Sequence, residues 1–307
     1  MKGKVEPEKC RFCKAGSVSQ SLRAKHVFGS NNKHQFFQCS KCELVYLYPI
    51  PSEEEEDKFY ADEFEKFMER RSGGDMDWSG PEEHKKSNQE NVERRLDFLQ
   101  EYIKPGIEVL EFGCSSGFMM DKFRELKMKS YGIEPSGSFT SFLKENNHNV
   151  FNSLDELKKT HPSKKFDLIT HFFVLEHVRD TQGFLNDQIE LLKPEGVIIA
   201  EVPCVLDPLT SLYKIEAFEK FYWSIAHHYY FSPRSISNIL ENINCRFKIV
   251  PEQRYDLSNH LTWLEKGKPG GQKRFNDLFS NELLVKYKES LINAGFFDTF
   301  FLYIWKA

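Results

Sequence analysis

At 307 residues, with 40% hydrophobic and 14% aromatic side chains, the chain has enough apolar material for one large core or two modest ones. Its formal net charge of -4, with acids and bases interspersed, argues against nucleic acid and anionic membranes as partners. No apolar run approaches the roughly 18 residues of a membrane span, and the opening MKGKVEPEKC has no apolar leader stretch, so a cytoplasmic protein without membrane contact is expected.

In chain order the first feature is a pair of CxxC motifs, Cys10 with Cys13 and Cys39 with Cys42, among seven cysteines in all. Each pair suits a tight turn that aims two thiolates at one point, and two such turns give the closed tetrahedral set that a structural zinc prefers. Such a site has no vacancy for chemistry. The turn-forming "YPIPS" and the acidic run Glu53 to Asp57 mark a boundary, so residues 1–52 read as a zinc-binding module. Residues 53–105 read as a charged, mostly helical connector or lid, interrupted by the loop "SGGDMDWSGP".

From 106 to 307, short apolar runs alternate with amphipathic stretches, the pattern of a doubly wound, mostly parallel α/β sheet with crossover helices. Strands are expected at 107–112, 129–134, 149–151, 166–173 and 196–202. The helix "FMMDKFREL" follows the first of them, and a capping box of Ser153 with Glu156 opens another. "RFKIVPEQRY" and "DTFFLYIWK" read as two further strands, the last preceded by a helix around Asn281 to Asn293. Residues 253–280 read as a polar substrate-binding insertion, with Arg254, Asn259 and His260 as contacts.

The stretch "LEFGCSSGF", residues 110–118, is a glycine turn between a strand and a helix. A dinucleotide loop would need glycine where Ser115 and Phe118 stand, and a phosphate loop would need Lys then Ser or Thr where Phe118 and Met119 stand. What remains is Glu111 at a strand end, Gly113 for the turn, and Gly117 where the helix N-terminus meets a ligand. Glu134 ends the next strand, where a doubly wound fold sets an acid against ribose hydroxyls. A carboxylate beside the loop repels phosphate and suits an ammonium next to a sulfonium. The ligand this describes is S-adenosylmethionine.

On these motifs, residues 107–203 resemble the Rossmann-like class I S-adenosylmethionine-dependent methyltransferases, through "VLEFGCSSG", "GIEPS", "FDLITHFFVLEHVRD" and "LLKPEGVIIAEVP". "CRFC", "CSKCELVY" and "KFYADEF" resemble the zinc-binding module that precedes the catalytic domain of sugar C-methyltransferases. The resemblance implies that Glu111, Gly113 and Gly117 border the methionine end of the cofactor and that Glu134 holds its ribose. It places Asn152, Ser153 and His171 near the adenine or the sulfonium, takes Cys114 and Pro135 into the same set, and makes Tyr60 and Phe64 an aromatic lid. Ser115 departs from the family's glycine and should narrow the loop slightly.

Methyl transfer is an in-line displacement in which alignment contributes on the order of 7–11 kcal/mol and a general base about 10²–10⁴-fold. Candidates for the base lie in "YWSIAHHYYFSPRSI", with His227 and His228, and in "VLEHV", with Glu176 and His177. "SIAHHYYFS" is similar to the end of the sugar enzymes' "YHEHxSYxS" segment, which puts His227 on the histidine, Ala226 in the glutamate's place and Ser224 in the tyrosine's. The expectation is a small hydroxylated acceptor, a sugar nucleotide or related metabolite, methylated on oxygen or carbon. Two alternatives are an RNA base methyltransferase, which would need a basic aromatic face, and a non-catalytic scaffold, which would carry a broken cofactor loop.

Overall fold

The computed structural model describes residues 6–30, 32–59, 67, 80–275 and 277–307. The chain begins with β1 (Gln20–Ala24), β2 (Gln35–Cys39) and β3 (Val45–Tyr48), followed by helices α1 (Glu53–Lys58), α2 (Pro81–Ser87) and α3 (Gln89–Leu99). Strands and helices then alternate: β4 (Glu108–Phe112), α4 (Phe118–Glu125), β5 (Lys129–Ile133), α5 (Gly137–Glu145), β6 (Asn149–Phe151), α6 (Leu154–Thr160), β7 (Phe166–Phe172), α7 (Thr181–Leu191) and β8 (Leu192–Pro203). After α8 (Pro208–Ser211) and α9 (Glu216–Tyr222) come β9 (Tyr229–Tyr230), α10 (Pro233–Leu240), β10 (Cys245–Glu252), α11 (Leu257–Lys266), α12 (Asn281–Asn293) and β11 (Thr299–Lys306).

The large sheet has the order β10-β11-β8-β7-β4-β5-β6. Its five expected strands, β4 to β8, are parallel neighbours, with β8 starting at Leu192 rather than Gly196. The terminal strand β11 inserts antiparallel between β8 and β10. Strand order reverses at β4, so its carboxyl end is the switch point where an open α/β sheet leaves a crevice. Alternation sends Leu110, Phe112, Ile169 and Ile198 to the face that meets Leu185 of α7, and Val109, Leu168, Val197 and Ile199 to the face that meets Leu99 of α3 and Phe123 of α4.

The same alternation puts Glu111 and Glu201 on the α3 side. Glu201 is fully buried, and a buried charge persists only with partners. Arg94 Nη2 lies 2.8 Å and Arg95 Nε 2.9 Å from its carboxylate, and Arg94 also pairs with Glu252. The connector helix is thereby bound to the sheet by charge as well as by packing.

The smaller sheet has the order β1-β2-β3-β9. Its fourth strand comes from the "HHYYF" segment, with Val45 opposite Tyr230 and Tyr46 opposite Tyr229. The N-terminal lobe and the segment following β8 therefore share one sheet and one apolar cluster, including Phe36, Leu47, Trp223 and Tyr230. Serine caps fall where the sequence puts them, with one difference. Ser153 accepts from Glu156 N at 3.2 Å, but the Glu156 carboxylate accepts from Asn152 N at 2.7 Å, so the reciprocal bond is displaced by one residue.

Arg254, Asn259 and His260 turn inward. Arg254 Nε lies 3.3 Å from Asp298, Asn259 Nδ2 donates to the Gly270 carbonyl, and His260 Nδ1 sits 2.6 Å from the Tyr287 hydroxyl. Asn259 thereby ties α11 to the loop that follows it, and His260 ties it to α12. No helix among the described residues is long and apolar enough to cross a membrane.

Candidate active site

β4 ends at Phe112 and the chain turns through residues 113–117 into α4. Gly113 and Gly117 have φ of +65° and +76°, and a Cβ on them would lie 2.6 Å from Val174 Cγ2 and 2.4 Å from Leu143 Cδ2 respectively. Both conformation and space demand glycine. Ser115 sits in the same left-handed region, φ +51°, which is the physical reason a glycine suits its place. The Cys114 side chain is buried beneath the loop with Met120, Leu143 and Val150, and burial raises its thiol well above the ordinary range.

Glu111 is 3% exposed, and burial lifts its carboxyl to about 8, against the pull of Arg95 and with the help of Glu134. Among the described residues its Oε2 has no hydrogen-bond partner, and neither has Thr170 Oγ1 at the paired position of β7. Two orphaned buried oxygens at the crevice fit a ligand that brings an ammonium group. Glu134 follows β5, buried, and accepts from Ser115 N at 2.7 Å and Ser136 N at 2.9 Å. Burial raises its pKa and these two bonds oppose the rise. A carboxylate offers about four acceptor positions, so capacity remains for ribose hydroxyls. Pro135 is exposed beside it. Asn152 follows β6 and its Nδ2 lies 3.4 Å from Thr140 Oγ1, which in turn donates to the Glu134 carbonyl at 2.7 Å. Ser153 is engaged as the cap of α6.

His171 faces the opposite side of the sheet from Glu111. It is fully buried, its ring centroid 5.5 Å from that of Phe184, and burial lowers it to about 3, so the ring is neutral and belongs to the packing of β7 on α7. Tyr60 and Phe64 lie outside the described residues. A different residue covers the turn: His84 of α2 has Nδ1 2.9 Å from Ser116 Oγ and 3.2 Å from Ser115 Oγ, and its ring contacts Phe118 and Phe139. Lys85 beside it pairs with Asp121 of α4. "PEEHKKSNQ" carries no signal for this, since it reads as an ordinary charged helix.

The turn after β7 and the loop before β9 bring three expected side chains together. The ligand atoms of Glu176, His177 and His227 all lie within 4.8 Å of one another. Glu176 is 1% exposed and its Oε1 is 4.0 Å from His177 Nε2. His177 Nδ1 lies 2.7 Å from the Ala226 carbonyl, which assigns the hydrogen to Nδ1 and leaves Nε2 as the acceptor nitrogen in the neutral ring. The His177 and His227 rings meet edge-on at 4.7 Å. Position 226 is alanine, and the carboxylate near His227 is that of Glu176, on another segment.

His228, expected beside His227 as a catalytic candidate, points elsewhere. Its Nδ1 faces Arg11 Nη1 at 3.3 Å and its Nε2 faces Glu56 Oε1 at 3.0 Å. Burial, with Arg11 and Arg179 near, lowers it to about 3, so it is a neutral ring with both nitrogens engaged.

In the N-terminal lobe the four expected thiols meet. Cys10 Sγ is 3.6 Å from Cys42 Sγ, Cys13 Sγ is 3.6 Å from Cys39 Sγ, and all four lie within 4.8 Å of one another. Zinc–sulfur bonds of about 2.3 Å in a tetrahedron require sulfur–sulfur edges of about 3.8 Å, so the donor set fits zinc. Besides His84, sequence reasoning missed Arg94, Arg95 and Glu201. The signal was available in Glu201, a charged residue inside the apolar strand "GVIIAEVP".

The family model described as "Methyltransferase domain" matches residues 84–248, more than half of the chain. Among curated proteins the chain is 29% identical over 98 residues to a ubiquinone biosynthesis O-methyltransferase of Bradyrhizobium sp. (strain ORS 278), covering 31% of this chain and 39% of that protein. A protein of the same name from Nitrobacter winogradskyi (strain ATCC 25391 / DSM 10237 / CIP 104748 / NCIMB 11846 / Nb-255) is 29% identical over 99 residues, 31% of this chain and 38% of its own. The chain thus spans about two fifths of the length of these relatives. Among solved structures, a SAM dependent methyltransferase from Archaeoglobus fulgidus aligns with a TM-score of 0.48 and 23% identity, covering 70% of this chain and 93% of that one. Match and topology agree: the chain belongs to the methyltransferase-domain family and has the class I, Rossmann-like fold.

Proposed function

We propose that this enzyme methylates a small hydroxylated metabolite, a nucleotide-linked sugar, and that Glu176, His177 and His227 manage the acceptor's proton. The observation that carries this reading is the meeting of those three side chains at the carboxyl end of the central strands, the ligand side of an open α/β sheet. S-adenosylmethionine, when bound, would supply an activated methyl group. Glu111 and Thr170 would hold its ammonium end, Glu134 its ribose, and the turn at Gly113 to Gly117 would let the backbone approach closely. His227, next to Glu176, would accept the acceptor's proton as the methyl group is transferred. The O-methyltransferase names of the relatives support oxygen as the receiving atom. A second reading, carbon methylation, is favoured by Glu176, which restores a carboxylate beside His227 despite Ala226. Both are tested by incubating the enzyme with isotopically labelled cofactor and a panel of nucleotide-linked sugars, with the labelled atom located by NMR. Label on a sugar oxygen or carbon is the expected result. Label only on quinols or other phenols would overturn the sugar assignment.

The four cysteines are proposed to hold one structural zinc. Metal analysis of the purified chain should find one zinc per chain, lost in Cys39→Ser; a metal-free folded protein would contradict this.

A further inference from the structure

We propose that Arg11 is a positioning residue through which the four-cysteine lobe sets the geometry of the Glu176, His177 and His227 cluster. The proposal rests on the reading above that this cluster moves the acceptor's proton. Arg11 lies between Cys10 and Cys13, in a turn closed by Cys10 N donating to the Ala15 carbonyl at 2.8 Å. Its Nη1 is 3.3 Å from His228 Nδ1 and 3.4 Å from the His228 carbonyl, while its guanidinium carbon sits 4.4 Å over the Tyr229 ring. A planar fork that donates to two acceptors and stacks on an aromatic face is a task for arginine rather than lysine.

His228 passes the constraint on. Its backbone N–H donates to the Glu176 carbonyl at 2.8 Å, its own carbonyl accepts from Leu47 N at 2.9 Å, and it is the chain neighbour of His227. Glu56, which faces His228 Nε2, also pairs with Arg179 at 2.7 Å, and Arg179 donates to the Pro51 carbonyl while its own carbonyl accepts from the Tyr229 hydroxyl. Both segments that carry the cluster, the turn with Glu176 and His177 and the loop with His227, are therefore clamped to the N-terminal part of the chain through His228 and Arg179. The cysteines hold the turn, the turn holds Arg11, and Arg11 holds His228. A displacement of about 1 Å at a reacting group can cost about 10²-fold in rate, so this clamp bears on turnover although Arg11 is not among the three residues that meet the acceptor.

The test uses the full chain with its metal, as Arg11→Met and Arg11→Lys. Arg11→Met should retain wild-type metal content and cofactor affinity, lose about 10²-fold in kcat, and show a displaced pH–kcat profile. Arg11→Lys should recover part of kcat while leaving the ring ¹⁵N shifts of His228 altered. A residue that only stabilised the fold would instead lower Tm and leave kcat and the pH profile of the folded fraction unchanged, which overturns the proposal. If Arg11→Met does not fold, Arg11→Lys decides alone: unchanged kcat with unchanged His228 shifts overturns it. Failure here is separable from failure of the underlying reading, because an active His227→Ala would dispose of the cluster whatever Arg11 does.

Discussion

Glu111→Gln should abolish the rise of cofactor affinity with pH that is expected of the native chain up to about pH 8. Without ligand, burial keeps Glu111 protonated to about 8, whereas in an unfolded chain it would ionise near the ordinary value of about 4.3. Across that window the folded state keeps a proton that the unfolded state has released. The contribution of Glu111 to the stability of the cofactor-free chain is therefore greatest at the acid end and declines as pH rises towards about 8. An ammonium group set against Glu111 favours the charged carboxylate, so binding expels the proton. Affinity should climb about tenfold per pH unit below about 8, then level or fall as the cofactor's own α-amino group, ordinarily near 7.7–8.0, deprotonates. Calorimetric titrations near pH 7 in buffers of different ionisation heat should show close to one proton released by the native chain and none by Glu111→Gln. Equal proton release by the two proteins would remove Glu111 from the ammonium end.

His227→Ala should lower kcat about 10²–10⁴-fold with the cofactor dissociation constant unchanged. The loss belongs to the cluster rather than to one ring. His177 Nδ1 is fixed on the Ala226 carbonyl and Glu176 is buried, so Glu176→Gln should give a loss of the same order. The double variant should lose little more than either single one, since groups that act as a unit are not additive. Steady-state kinetics and calorimetry on the three variants check this, and full activity in His227→Ala excludes it as the base. His228→Ala should act differently, through the position of its neighbour and not through proton transfer.

What was legible in the sequence was local or periodic. Alternating apolar runs gave β4 to β8, and the turn residues Gly113 and Gly117 announced positions where no side chain fits. The four cysteines could be paired from spacing because each CxxC brings its own turn. What was hidden depends on partners far apart in the chain. Tyr229 and Tyr230 form a two-residue strand on the edge that β3 offers, a pairing too short for periodicity to announce. Glu176 and His177 were legible as candidates in "VLEHV", but their meeting with His227, some 50 residues further on, depends on the fold. His171 lies on the opposite face of the sheet from Glu111, and parity read against Glu111 on the neighbouring strand tells the two sides apart. The partners of Arg254 and His260, Asp298 and Tyr287, lie 44 and 27 residues further on, beyond what a local reading can pair.

A crystal structure of the chain grown with S-adenosylhomocysteine bears most directly on the grip of Glu111 and Glu134. The predicted density has the ribose hydroxyls on the Glu134 carboxylate, the amino group against Glu111 Oε2, and the nucleoside chain crossing the turn from Gly113 to Gly117. A nucleoside bound away from that turn, or one whose ribose leaves Glu134 tied only to Ser115 and Ser136, would contradict it.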